Sequence, residues 1–214
     1  MASAGSTRPE VLLLSLALQP FFDDSYTSLI DALSAVSKIK RTRLSDGAIR
    51  YLEANNPKAA KNKAVLEKVK SYARKGGRVI IGLHFTCFND MDVFDKFFGG
   101  GLGLQWRSGD YYHRTDFQFN PSCRLPAYVC KESLPLNINL KVLHIKNAQP
   151  HEKIFVPVPG AKTQSLMGVL PSTAVDQSQA AVAGVVYGSG FLFYVGDVNA
   201  EKDSDTIIMT LCGF

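Results

Sequence analysis

The first regular feature of the chain is an unbroken apolar run, Val11 to Leu18, with no period-two alternation. Such a run between polar neighbours reads as a parallel strand covered on both faces. From Asp23 to Ser37 the period becomes that of a helix, with Tyr26, Leu29, Ile30, Leu33 and Val36 on one stripe. The acids Asp23 and Asp24 suit its positive N-terminus. Ile39 to Leu44 is a short basic strand, and Asp46 to Ala54 carries Ile49 and Leu52 on a second helix. A third helix over 61–75 sets Val65, Leu66, Val69, Tyr72 and Ala73 at helical spacing and stops at Gly76-Gly77. Arg78 to His84 is another buried strand. Strands and helices alternate, which predicts an α/β fold with a doubly wound, mostly parallel sheet.

The second half is patterned differently. Met91 to Phe98 reads as a helix, Gly99 to Gly103 as a glycine-rich turn, and Tyr112 to Asn120 alternates like an exposed edge strand. Val142 to Ile145, Ile154 to Val158 and Leu166 to Leu170 are short apolar segments divided by Pro, Gly, Asn and Gln. Ala181 to Tyr187 and Phe191 to Val195 flank Gly188-Ser189-Gly190, the signal of an antiparallel hairpin. Asp203 or Ser204 caps a final helix with Ile207, Ile208 and Leu211 inward. No repeat and no break in composition interrupts residues 11–214, which read as one domain behind a loose polar tail, 1–10.

Composition narrows the class. With 214 residues, 46% apolar and 20% charged, the chain is neither disordered nor a coiled coil. Its four cysteines (Cys87, Cys123, Cys130, Cys212) form no Cys-x-x-Cys, which argues against a zinc knuckle and a disulfide framework. Between Lys58 and Arg78 eight basic residues face the single acid Glu67, a local excess of seven in a chain whose net charge is +5. Everything outside that stretch is therefore slightly acidic. The stretch reads as a solvated helix face before it reads as a polyanion-binding patch, so nucleic acid is not an expected partner. No run reaches the roughly 18 apolar residues of a membrane span. Val11 to Leu18 is short for a signal core, abuts Glu10 and lacks a small-residue cleavage site. A cytoplasmic location is the expectation.

Three stretches carry a resemblance: Gly76 to His84 (Gly-Gly-Arg-Val-Ile-Ile-Gly-Leu-His), Phe97-Phe98-Gly99 running to Trp106 and Asp116, and Tyr187 to Asp197. In this order they resemble the class I glutamine amidotransferase-like superfamily, in particular its trehalose-utilisation (ThuA-like) branch and similar uncharacterised fungal proteins. The resemblance spans most of residues 11–214 and implies a flavodoxin-like sheet closed by a C-terminal antiparallel hairpin. It also implies a strand after the second helix, which the short linker 56–60 omits. Either the sheet is one strand short or the sequence is a shortened version of a longer one. In the amidotransferases the strand ends in Gly-x-Cys-x-Gly, whereas here the matching residues are Gly82-Leu83-His84-Phe85-Thr86. The family's His-x-Glu is replaced by Asp197-Val198-Asn199-Ala200-Glu201, and the last histidine is His151. A cysteine nucleophile needs a nearby base, so glutaminase chemistry by that mechanism is excluded.

The candidate chemistry follows from position. His84, at the carboxyl end of a parallel strand, can act as acid or base near neutral pH, and reads equally as a histidine bonded within a packed loop. Asp197 and Glu201, with Asn199 between them, can serve as paired carboxylates beside it, or as turn and cap formers. Cys87 is flanked by Phe85 and Phe88 and reads as a small buried residue more readily than as a displaced nucleophile. Asp110, His113 and Asp116 form the densest polar cluster, with Arg114 and Asp116 expected to pair as ions on an exposed strand. Gly99 to Gly103 lacks the Lys-Ser/Thr of a phosphate loop. No metal and no cofactor are expected.

Two functions compete. One is a non-catalytic, accessory or small-molecule-binding protein of fungal metabolism. The other is an enzyme acting on a sugar-like or carbonyl-bearing metabolite with His84 as acid/base. The expected partner in both is a small molecule, and self-association is left open.

Overall fold

In a computed structural model the described residues are 8–14, 20–42, 61–87, 90–111, 114–164 and 172–214. The expected helix over 46–54, the linker 56–60 with its omitted strand, the segment 166–170 and His113 lie outside them. The chain divides into two compact units, residues 1–69 with 214, and residues 70–213.

In the first unit β1 (Glu10–Leu14) and β2 (Lys38–Thr42) run parallel, Glu10 opposite Lys38 and Leu14 opposite Thr42. The crossover between them is helical, as parallel pairing demands. It is two helices, α1 (Phe22–Ser25) and α2 (Thr27–Val36), broken at Tyr26. Phe22, Tyr26, Leu29 and Leu33 are buried, whereas Val36 is exposed. The Ser37 hydroxyl ends α2 by donating to the Leu33 carbonyl at 2.6 Å. Helix α3 spans Lys61–Arg74, with Ala64, Val65 and Ala73 buried and Tyr72 exposed.

The second unit is built on a six-stranded sheet. Its strands are β3 (Arg78–Ile81), β5 (Thr115–Phe119), β6 (Asn137–Leu140), β8 (Lys153–Pro157), β9 (Val182–Tyr187) and β10 (Gly190–Val195), in the order β3-β10-β9-β8-β5-β6. Of its five pairings only β3 with β10 is parallel. The sheet is thus mixed and largely antiparallel, which corrects the expectation of a mostly parallel one. Apart from β3 with β10, every pair of neighbours in the sheet runs antiparallel, a pairing that needs no helical crossover. Strand β5 is also no edge: it lies between β8 and β6, with Thr115 and Phe117 fully buried. The edges are β3 and β6, and in β6 the Asn-Ile-Asn-Leu alternation buries Ile138 and Leu140. A separate ladder joins β4 (Arg107–Tyr111) to β7 (Leu143–Lys146).

The hairpin forms as expected, β9 antiparallel to β10 through Gly188-Ser189. Gly188 has φ +67°, and a side chain there would meet the Arg74 backbone at 2.7 Å, so the turn must be glycine. Beneath the sheet, α4 (Met91–Lys96) runs into a π-helical turn, Phe97–Gly101. Phe94, Phe98, Trp106 and Tyr194 pack edge and face at 4.7–5.8 Å between ring centres. The Tyr194 hydroxyl donates to the Leu143 carbonyl at 2.6 Å. Helix α5 (Lys202–Cys212) turns Ile207, Ile208 and Leu211 inward, but its N-cap is Glu201 and not Asp203 or Ser204.

Candidate functional site

Strands β3 and β10 end side by side, and the loops that leave them are tied together. A Cβ at Gly82 would stand 2.9 Å from the Val195 carbonyl, so the two strands close tightly where β3 ends. Leu83 then takes φ +58°, a left-handed conformation that costs a branched side chain, and a 3-10 turn follows over Leu83–Thr86. Strand β3 is therefore shorter than its apolar run, and His84 sits on the turn. The single Thr86 hydroxyl proton is shared between the Asp197 carbonyl at 2.7 Å and the Leu83 carbonyl at 2.9 Å. The Cys87 thiol donates to the Val198 carbonyl at 3.3 Å. His84 is half-buried, and burial lowers its pKa, so its imidazole is neutral at pH 7. Burial raises the Cys87 pKa against the opposing effect of the Thr86 hydroxyl, which leaves a thiol and not a thiolate.

Asp197 is buried, 4% exposed, and folds the loop around its own carboxylate. One oxygen accepts the Asn199 amide at 2.8 Å, the other the Glu201 amide at 2.7 Å. Burial raises its pKa, and these two bonds oppose the shift. Ala200 is held at φ +55°, so the loop is strained immediately before Glu201. The Glu201 carbonyl starts α5 by accepting the amides of Ser204 and Asp205 at 2.9 and 3.2 Å.

The Glu201 carboxylate pairs with Arg114. The expected Arg114–Asp116 pair does not form. On a strand these two residues share a face, but each finds its partners on other segments of the chain. Arg114 Nη1 donates instead to the carbonyl and side-chain oxygen of Asn139, at 2.9 and 3.1 Å. Asp116 accepts from Asn139 Nδ2 at 2.5 Å and Gln164 Nε2 at 3.0 Å. Asn199 Nδ2 donates to the same Glu201 oxygen that Arg114 holds, at 3.3 Å. A continuous polar chain thus runs from Cys87 and Thr86 through Asp197, Asn199 and Glu201 to Arg114, Asn139, Asp116 and Gln164. The sequence singled out neither Asn139 nor Gln164. The alternation Asn137 to Leu140 is a signal that would have found the first.

Asp110 belongs to another cluster. Its amide donates to Gln179 Oε1 at 2.7 Å, and Gln179 Nε2 donates to its carboxylate at 2.7 Å and to Asp176 at 3.1 Å. The buried His144 holds the Asp110 carbonyl through Nδ1 at 2.8 Å. These bonds tie β4 to the 176–179 turn. Among the described residues no three His, Cys, Asp or Glu side chains gather in a group that could hold a metal ion. Nor is any described helix long and apolar enough to cross a membrane.

The whole chain superposes on solved structures. One, a ThuA-like protein from Bacteroides uniformis, aligns with a TM-score of 0.58 at 13% identity, over 99% of this chain and 93% of that one. A ThuA-like protein from Parabacteroides merdae gives 0.51 at 10% identity, over 97% and 88%. At such identities the likeness is one of fold alone. No protein-family model and no curated protein sequence matches the chain.

Proposed function

We propose that this chain is a non-glutaminase member of the ThuA-like fold that binds a small polar molecule at the carboxyl ends of β3 and β10, in an accessory or binding role. One observation carries the reading: the thiol nearest the end of β3, Cys87, donates its hydrogen to the Val198 carbonyl and is held protonated by burial. A protonated thiol spent on a backbone carbonyl is a structural tie and cannot open a glutamine amide. Around it His84, Asn199 and Glu201 keep polar atoms on the same pair of loops, and Arg114 reaches Glu201 from the start of β5, at the end of the sheet where open α/β folds take their ligands. Fold likeness alone would not carry this step, because one fold serves many activities.

The test is His84→Ala on the purified chain, screened against a panel of polar metabolites by thermal shift. Loss of a wild-type ligand response with the melting temperature held within a few degrees supports the reading. Unfolding of the variant makes His84 structural and removes it from the site. Glutamine hydrolysis by the wild-type protein would remove the non-glutaminase reading altogether.

A second reading, an enzyme for a carbonyl-bearing or sugar-like metabolite, is favoured by His84 itself. Burial favours its neutral form, the form in which an imidazole serves as a base, and it stands on the turn that follows Leu83. Turnover of such a metabolite that disappears in His84→Gln and falls on acidification below the ordinary histidine range would establish it. A His84→Gln variant with full turnover would end it.

A further inference from the structure

Arg114 is built as an anchor whose present partner is removable. Its Nη1 is clamped to the edge strand β6 by two bonds that it donates to Asn139, and these orient the guanidinium without help from Glu201. Nη2 is left to face the 197–201 loop, where it meets one oxygen of Glu201 together with Asn199 Nδ2. Two donors from different elements therefore converge on a single carboxylate oxygen. The pair is sheltered, with side chains 27% and 21% exposed, so an anion held there is stabilised more than at an open surface. The carboxylate that fills the place is carried on a loop strained at Ala200. A strained segment gives up its contact more readily than a relaxed one.

We infer that Arg114 and Asn199 form the anchor of a carboxylate-binding site, in which the Glu201 side chain holds the place that the carboxylate of a small-molecule ligand takes over. The inference rests on the small-molecule reading above and names the ligand's charge. Arg114 supplies the charge and a fixed direction, Asn199 the second donor, and Glu201 sets the threshold, since a ligand must displace an intramolecular competitor. Displacement swings the Glu201 side chain aside and lets the Ala200 backbone relax, while the Glu201 carbonyl stays the start of α5. Lys141, whose amino group lies over the Tyr111 ring at 5.2 Å and whose charge reaches Cys87, adds positive potential at the same end of the sheet.

Malonate titrated into the full chain, at ionic strength matched with sodium chloride, tests this by calorimetry and thermal shift. Glu201→Gln removes the competing charge and is expected to bind malonate about tenfold tighter than the wild type. Adding Arg114→Met to that variant is expected to abolish the response, and Asn199→Ala to weaken it. A folded Glu201→Gln that responds to malonate no more than the wild type does, or equally to chloride, overturns the inference. Glu201→Asp is the second variant, because it keeps the charge but withdraws the carboxylate. It is expected to fall between wild type and Glu201→Gln. If neither variant folds, the pair is a requirement of the fold and the inference fails. The two readings fail separately: metabolite binding that depends on His84, with no malonate response in a folded Glu201→Gln, removes the anchor and keeps the small-molecule site.

Discussion

Two polar clusters in the second unit use similar groups to opposite ends. In the Asp110, His144, Gln179 cluster the last two side chains are buried, Asp110 is half-buried, and no residue is left-handed. The cluster from Cys87 to Gln164 is part-exposed, is reached through two loops strained at Leu83 and Ala200, and carries charges that partner across elements. In the first, closeness is the design: a Cβ on Gly109 would collide with the Gln179 amide and stand 3.0 Å from His144 Cβ. In the second, the backbone spends conformational energy to hold polar side chains at the end of the sheet. A largely buried polar network pins one packing, whereas the left-handed residues Leu83 and Ala200 hold side chains where the local chain alone would not put them.

Gln179→Ala is the largest expected break in that comparison. It removes a side chain only 4% exposed, leaving a cavity and the Asp110 amide without its acceptor while the half-buried Asp110 and exposed Asp176 carboxylates turn to water, and should cost about 2–3 kcal/mol. In a chain of this size that is a fall of roughly 5–10 °C in melting temperature. Ligand response in the other cluster should not change. A variant that melts normally would mean that the buried cluster is not what holds β4 to the 176–179 turn.

Acidification should separate the two clusters by sign. Burial lowers the His144 pKa, so as pH falls below the unfolded value, about 6.5, the unfolded chain takes up a proton that the folded chain refuses, and stability falls. Burial raises the Asp197 pKa, so the folded chain takes up its proton first. Stability from that group rises as pH falls through its folded value toward the unfolded one, about 3.9. Urea unfolding between pH 7 and 4.5 is therefore expected to show His144→Gln losing less stability on acidification than the wild type, and Asp197→Asn losing more. The same sign for both variants would refute the contrast.

The sequence made one of the two clusters half visible. His84, Asp197, Asn199 and Glu201 were legible because each follows the end of an apolar strand, a position that local periodicity locates. Arg114 was legible as a charge but not as a partner, since Glu201 lies 87 residues away and the choice between it and Asp116 depends on which loop crosses above β5. The same limit explains the sheet. The helical crossover from β1 to β2 and the Gly188-Ser189 hairpin follow from residues close in the chain. The direction of β5, β6 and β8 depends on connections whose paths no local period encodes. Asp110 was grouped with Asp116 by nearness in sequence, and β4 and β5 then carry them into different ladders.

The smallest expected effect is the most pointed test of stored strain. Ala200→Gly keeps every hydrogen bond of the 197–201 loop, because those bonds use backbone amides and the side chains of its neighbours. Glycine adopts φ +55° without the penalty that alanine meets, which favours the folded chain, while its freer unfolded state takes back part of the gain. A net stabilisation of about 0.5–1 kcal/mol is expected. A relaxed loop has less reason to yield Glu201, so the same variant should bind malonate more weakly than the wild type although it melts higher. Stability and binding moving in opposite directions at a residue with no polar side-chain atom would tie the strain to the site. A variant that gains stability and binds malonate unchanged would show that the strain at Ala200 belongs to the turn alone.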